Sequence, residues 1–145
     1  MTKEIDYERP WVILAMTDDA SAKMLAKMLV KRGARVETVE TAEDALTKAR
    51  RQPTAAIMTK LKKDMAEEIQ GLVNHGIPIY AMNFGTDHDA AAAKEATDKG
   101  IEEVFEMKDF ESYSNTWLSQ LRGRGNRFAE DAPEHVGTMI VGESA

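Results

Sequence analysis

The sequence predicts an α/β fold, a doubly wound five-stranded parallel sheet built as (βα)5, on three observations. Between residues 11 and 121, short apolar runs alternate in strict order with amphipathic stretches. Some of those runs are apolar at consecutive positions, as strands covered on both faces must be. The connections are short, so right-handed crossovers would lay helices on both sides of one sheet. A chain of 145 residues is long enough for one such domain with a sizeable core and a tail.

Each element has its own reason. "WVILA" (11–15) reads as a strand buried on both faces. Asp18 and Asp19 can cap the following helix by accepting its unpaired N–H groups. In that helix Met24, Leu25, Met28 and Leu29 share a face, and Gly33 stops it. "ARVETV" (34–39) is a β-branched strand with Val36 inward and Thr38 next on the same face. Thr41 caps a second helix with Ala42, Ala45, Leu46 and Ala49 inward. "AAIM" (55–58) is the third strand, which "TKLKKD" (59–64) ends abruptly with positive charge. Residues 66–74 form a short helix with Ile69, Leu72 and Val73 inward, and "IPIYAM" (77–82) is the fourth strand. Thr86 or Asp87 begins an Ala-rich helix that ends before Gly100. "EEVFEM" (102–107) is the fifth strand. Asp109 opens a fifth helix in which Phe110, Tyr113, Trp117, Leu118 and Leu121 make the strongest amphipathic stripe of the chain.

From Arg122 the character changes to Gly, Pro and mixed charge, and no apolar run returns until "TMIV". The expected organisation is an N-terminal extension over 1–10, one domain over 11–122, and a mobile linker over 123–145 with the start of a further unit at its end.

Composition narrows the function classes. A net charge of −6 and a pI near 5.1 argue against nucleic-acid binding by this domain. There is no Cys, which excludes disulfides and thiolate metal sites and favours a reducing, cytoplasmic location. The opening "MTKEIDYERPWVILAM" is acidic and its apolar run is too short for a signal peptide or membrane span. His75, His88 and His135 are scattered without ligand spacing. "KARRQ" (48–52) reads as a solvated helix end favoured by the helix dipole. "GTDHD" (85–89) reads as a loop and cap, and no Gly-rich phosphate loop occurs in the body of the domain. No metal and no cofactor are expected.

The element order, with "GARVETVETAEDAL" after the first helix, "IPIYAMN" in the fourth strand and "KGIEEVFEMKDF" in the fifth, resembles a bacterial response-regulator receiver domain of two-component signalling over residues 11–121. That resemblance implies a flavodoxin-like sheet with a pocket at the strand carboxyl ends. There an acidic pair after the first strand and an Asp ending the third hold Mg²⁺. The Asp accepts a phosphoryl group, and a Thr or Ser and a Lys bind its oxygens. Such a nucleophile must be a carboxylate, and a divalent cation must offset the repulsion between anions.

The catalytic pattern is where this chain departs. Laid on "TKLKKD", the acceptor position falls on Lys60, or on Thr59 after a shift of one. An ammonium cannot form an acyl phosphate and repels Mg²⁺. Counting back from Gly33 puts Met16 and Thr17 at the acidic pair with Asp18 at a third acid; a shift of one makes Asp18 and Asp19 the pair. Asn83 stands where Thr or Ser is expected, and Lys108 falls one residue late, followed by Asp109 instead of Pro. These departures describe a degenerate receiver, or pseudo-receiver, with a vestigial pocket of Met16, Thr17, Asp18, Asp19, Thr59, Lys60, Asn83 and Lys108. Asp18 and Asp19 read equally as helix caps or as remnants of a metal site. Lys60 snorkels to solvent, or pairs with one of them.

The expected function is therefore non-catalytic regulation, independent of phosphorylation, by a partner or by self-association. The resemblance places the contact on the fourth helix, fifth strand and fifth helix. Phe105, Asp109, Ser112, Tyr113 and Ser119 mark this face, with Tyr113 at the rim of the aromatic stripe. The tail "VGTMIVGESA" also resembles the segment that opens the ATPase domain of sigma-54-dependent transcription activators, with Ala145 where Pro is usual. Two alternatives stand beside this reading. One is an active phospho-acceptor using Asp18 or Asp64 with Mg²⁺. The other is an unrelated flavodoxin-like ligand-binding protein, against which the missing Gly-rich loop and polar cluster count.

Overall fold

In the computed structural model, which describes residues 9–62, 66–84 and 90–130, strands and helices alternate strictly. The elements are β1 (Trp11–Ala15), α1 (Ala20–Lys31), β2 (Arg35–Val39), α2 (Ala42–Arg51) and β3 (Ala56–Lys60). They continue with α3 (Ala66–Leu72), β4 (Ile79–Asn83), α4 (Ala90–Asp98), β5 (Glu103–Glu106) and α5 (Met107–Arg124). The five strands pair in parallel in the order β2-β1-β3-β4-β5. This is the doubly wound fold that the sequence predicts. From β1 the chain steps one way to β2 and the other way to β3, so the winding reverses between β1 and β3. The crevice beyond the carboxyl ends of these strands is the natural site of such a sheet.

Strand side chains alternate between two cores. Val12, Leu14, Met58, Tyr80, Met82 and Phe105 face the layer of α1 and α5. Ile13, Ala15, Ile57, Ile79 and Ala81 face the layer that includes Ala42, Ala45 and Ala49 of α2, Ile69 and Leu72 of α3, and Ala92 and Ala96 of α4. Among the described residues no helix is long and apolar enough to cross a membrane.

The differences from the sequence reading have local causes. In α1 the buried line is Ala22, Leu25 and Leu29; Met28 is at its margin and Met24 is 55% exposed. Met24 lies one residue, about 100° of helix, from Leu25 and so turns away. β2 is an edge strand, and both Val36 and Thr38 are only half-buried. α2 buries Ala42, Ala45 and Ala49, while Leu46 packs at the edge. β3 runs two residues past "AAIM", because Thr59 and Lys60 stay in register with Ala81 and Met82. α3 ends at Leu72, since Asn74 (φ 69°) and Gly76 (φ 88°) turn the backbone left-handed. α5 begins at Met107 directly after β5, which places Asp109 in its first turn, where its carboxylate meets the helix dipole favourably.

The first part of the expected linker, up to residue 130, is bonded to the domain. α5 passes the expected boundary at residue 122 and ends at Gly125. Residues 125–130 then cross the amino-terminal side of the sheet as a strap. Arg127 and Thr54 exchange backbone bonds of 2.9 and 3.1 Å in an antiparallel bridge. Thr86, Asp87 and His88, Lys63 and Asp64, and the tail from 131 with "TMIV", His135 and "VGESA" lie outside the described residues, as does most of the N-terminal extension.

Candidate functional site

The carboxyl ends of β1, β3 and β4 form the candidate site. β1 effectively continues to Met16, whose N–H donates to Val39 O at 2.9 Å. Met16 is buried and belongs to the core of α1 and α5, beside residues such as Leu25, Met58 and Met82. Thr17, Asp18 and Asp19 are exposed. Asp19 is the N-cap of α1: its Oδ1 accepts from Ala22 N at 3.0 Å. One of its carboxylate oxygens is thus committed to the helix, and the capping expectation holds for Asp19. The two residues that follow β1 are Met16 and Thr17.

On β3, Thr59 lies between Ala15 of β1 and Ala81 of β4. It is buried, and its hydroxyl has no hydrogen-bond partner among the described residues. Lys60 pairs in register with Met82, but its side chain is exposed and its ammonium sits 6.0 Å from the centre of the Phe84 ring. A cation over an aromatic face gains a modest electrostatic attraction while staying hydrated. Lys60 makes no ion pair with Asp18 or Asp19, so the snorkelling expectation holds and the pairing one does not. Phe84 is a residue the sequence reading missed. Its signal was its place directly after a strand that must neighbour the third.

Asn83 ends β4, is buried, and pairs in register with Glu106 of β5. Lys108 does not join this group. The helix has already begun at Met107, which turns Lys108 outward: its side chain is 79% exposed, with Nζ 3.9 Å from Glu106 Oε1. It shares a shallow cleft along α1 with Asp18, Lys23 and Met24. The structure thus brings together Met16, Thr59, Lys60 and Asn83, places Asp18 and Asp19 at the mouth, and removes Lys108 to the surface. Among the described residues no three His, Cys, Asp or Glu side chains are grouped as a metal ion would require.

The α4–β5–α5 face is a second candidate. Phe105, expected on it, lies in the core at 6% exposure. Its ring packs against Tyr80, Phe110, Tyr113 and Trp117, with centroids 4.9–5.9 Å apart. It sits on a β5 position that alternates inward, so it supports Tyr113 from beneath rather than reaching solvent. Tyr113 is half-buried at the rim, with its hydroxyl 3.5 Å from Gln120 Oε1. Asp109, Ser112 and Ser119 are exposed.

No protein-family model and no curated protein matches the chain. Solved structures do match its fold. A response regulator from Thermotoga maritima superposes with a TM-score of 0.66 at 12% identity, over 79% of this chain and 98% of that one. A response regulator receiver protein from Burkholderia phymatum gives 0.63 at 14%, over 86% and 99%. The receiver domain of a sensor histidine kinase from Pseudomonas aeruginosa, with a magnesium ion coordinated in its active-site cleft, gives 0.61 at 18%, over 79% and 98%. The structural neighbours are receiver domains, and this chain has their fold.

Proposed function

We propose that this chain is a receiver-like regulatory domain that works without phosphorylation and without enzymatic activity, through protein–protein contact. The observation that carries the reading is the end of β3: a buried Thr59 and a solvent-facing Lys60 stand where a phospho-acceptor must present a carboxylate. Met16 supports it, because a buried thioether at the exit of β1 offers Mg²⁺ no hard oxygen ligand. The contact surface is the α4–β5–α5 face, the partner is a protein or a second copy, and the setting is cytoplasmic. The proposed setting is bacterial transcription control, a reading supported by the likeness of the tail sequence to the opening of a sigma-54 activator ATPase domain.

The test is treatment with acetyl phosphate and Mg²⁺ followed by intact-mass measurement. The expected result is no base-labile phosphoryl adduct. An adduct mapped to Asp18 or Asp64 would replace this reading with a phospho-acceptor that uses a displaced carboxylate.

A further inference from the structure

The strap of residues 125–130 is held by a set of bonds that no packing requirement of the sheet explains. Asn126 fixes its start: Oδ1 accepts from Trp11 N and Nδ2 donates to Arg9 O, both at 2.9 Å. Arg127 bridges to Thr54, which is fully buried and whose hydroxyl is turned back to Gln52 O at 2.9 Å. Ala129 N donates to Ala49 O at 2.9 Å, and its side chain packs on the core of α2, α3 and α4. At Glu130 the pairing is reciprocal: its N–H donates to His75 O, and the His75 ring donates from Nδ1 to Glu130 O, each at 2.6 Å. A carbonyl can only accept, so Nδ1 carries the proton. Next to His75, Gly76 has φ 88°, and a Cβ there would lie 3.3 Å from the Glu130 side chain.

The seat therefore reads the strap through its backbone, and little apolar surface is buried in return. Phe128 is 52% exposed, and Arg127 and Glu130 are exposed. A segment held mainly by hydrogen bonds with few apolar contacts opens at lower free energy than the core beneath it. The seat lies on the α3–β4 corner, and His75 and Gly76 lead within three residues into β4, whose far end carries Asn83. The strap also walls a cavity of about 660 Å³ lined by residues including Gly76, Pro78, Asp98, Lys99 and Arg127.

We propose that residues 125–130 form a releasable latch, with His75 as its catch. Docked, the latch fixes the direction in which the chain leaves the domain. It opens as a unit while the sheet stays folded. Anything that binds the chain beyond Glu130 in a geometry incompatible with the seat must open the latch first, so its binding is coupled to the His75–Gly76 corner. This inference is independent of the phosphorylation pocket.

The test is native-state hydrogen exchange on the full chain, paired with trypsin cleavage after Arg127. In the wild type the Arg127, Ala129 and Glu130 amides should be protected and share one opening step, lower than that of Ile57 and Met58. His75→Ala should lower protection of the three strap amides by roughly five- to tenfold, the effect of one hydrogen bond. Trypsin cleavage should rise in step, with Ile57 and Met58 unchanged. His75→Asn, whose side-chain amide can donate in place of Nδ1, should restore most of the loss. Ala129→Pro, which removes the bond to Ala49 O from the strap side, should open the latch even if His75→Ala disturbs folding. The latch is overturned if the strap amides exchange without protection in the wild type. It is also overturned if they exchange only with global unfolding, or if both variants weaken β3 as much as the strap.

Discussion

Asp19 and Lys60 both stand at the carboxyl side of the sheet, yet their surroundings give them different tasks. Asp19 satisfies a backbone N–H at the start of α1, a role worth about 1 kcal/mol. Asp19→Ala should therefore lower the thermal midpoint by roughly 3 °C, while Asp19→Asn, which still caps, should leave it close to wild type. Equal losses in both variants would show that the carboxylate charge matters and not the cap. Lys60 holds its charge in solvent over Phe84 and forms no ion pair with a carboxylate among the described residues. Lys60→Asp adds a carboxylate to a mouth where Met16 is apolar and Asp19 is engaged, so it should not create a Mg²⁺ site. Titration with millimolar Mg²⁺ should move no NMR signals near residues 16–19 and 59–61 in either protein. Saturable shifts in the variant alone would mean that Asp18 and Asp19 flank position 60. That β3 ends on Thr59 and Lys60 and not on a carboxylate was legible in "TKLKKD" itself. Where the pairing of β1 stops was not, because it depends on the bond from Met16 N to Val39 O, which carries it one residue past Ala15.

At the scale of elements, β4, β5 and α5 are locked by rings. Tyr80 stacks on Phe105 at 5.6 Å and meets Trp117 edge-on at 5.2 Å. Burial pushes the Tyr80 phenol up from its ordinary value of 10.0; the Arg124 guanidinium works against that shift and Glu102 adds to it. The folded state thus holds the neutral phenol more firmly than the unfolded chain does. This contribution is complete below the unfolded value near 10 and is lost as the pH rises through the higher folded one. Denaturant midpoints should be insensitive to Tyr80 near neutrality and fall above about pH 10, and Tyr80→Phe should remove part of that fall. Identical alkaline profiles for the two proteins would contradict it. This aromatic stripe was legible from spacing alone: Phe110, Trp117, Leu118 and Leu121 recur at helical intervals and all are buried. Phe105 was misjudged because a strand residue's side depends on which neighbours flank it. The strap was not legible, since "GNRFAE" has no apolar period and is held through its backbone and Asn126.

For the molecule as a whole, the proposed contact surface is the α4–β5–α5 face. Tyr113 gives it an amphipathic anchor, supported by Phe105 at 5.7 Å so that little side-chain freedom remains to be lost on contact. The exposed charges of these elements have both signs: Lys94, which pairs with Asp98 at 3.2 Å, and the acids Glu103 and Asp109. A face with both signs can pair with a second copy of itself about a two-fold axis, where every contact occurs twice. Ser112 and Ser119 are exposed on α5 one above the other at a spacing of seven. Ser112→Arg or Ser119→Arg should then weaken association by roughly tenfold or more, since each copy carries the added charge into the same interface. Neither should change stability by more than about 0.5 kcal/mol, the usual range at exposed sites. Sedimentation equilibrium over a wide concentration range, with and without acetyl phosphate, reads the first effect, and thermal unfolding reads the second. Association should be unaffected by the phosphodonor. A wild type that stays monomeric at the highest concentrations would exclude the second copy. If association occurred and both serine substitutions left it unchanged, this face would not be the contact surface.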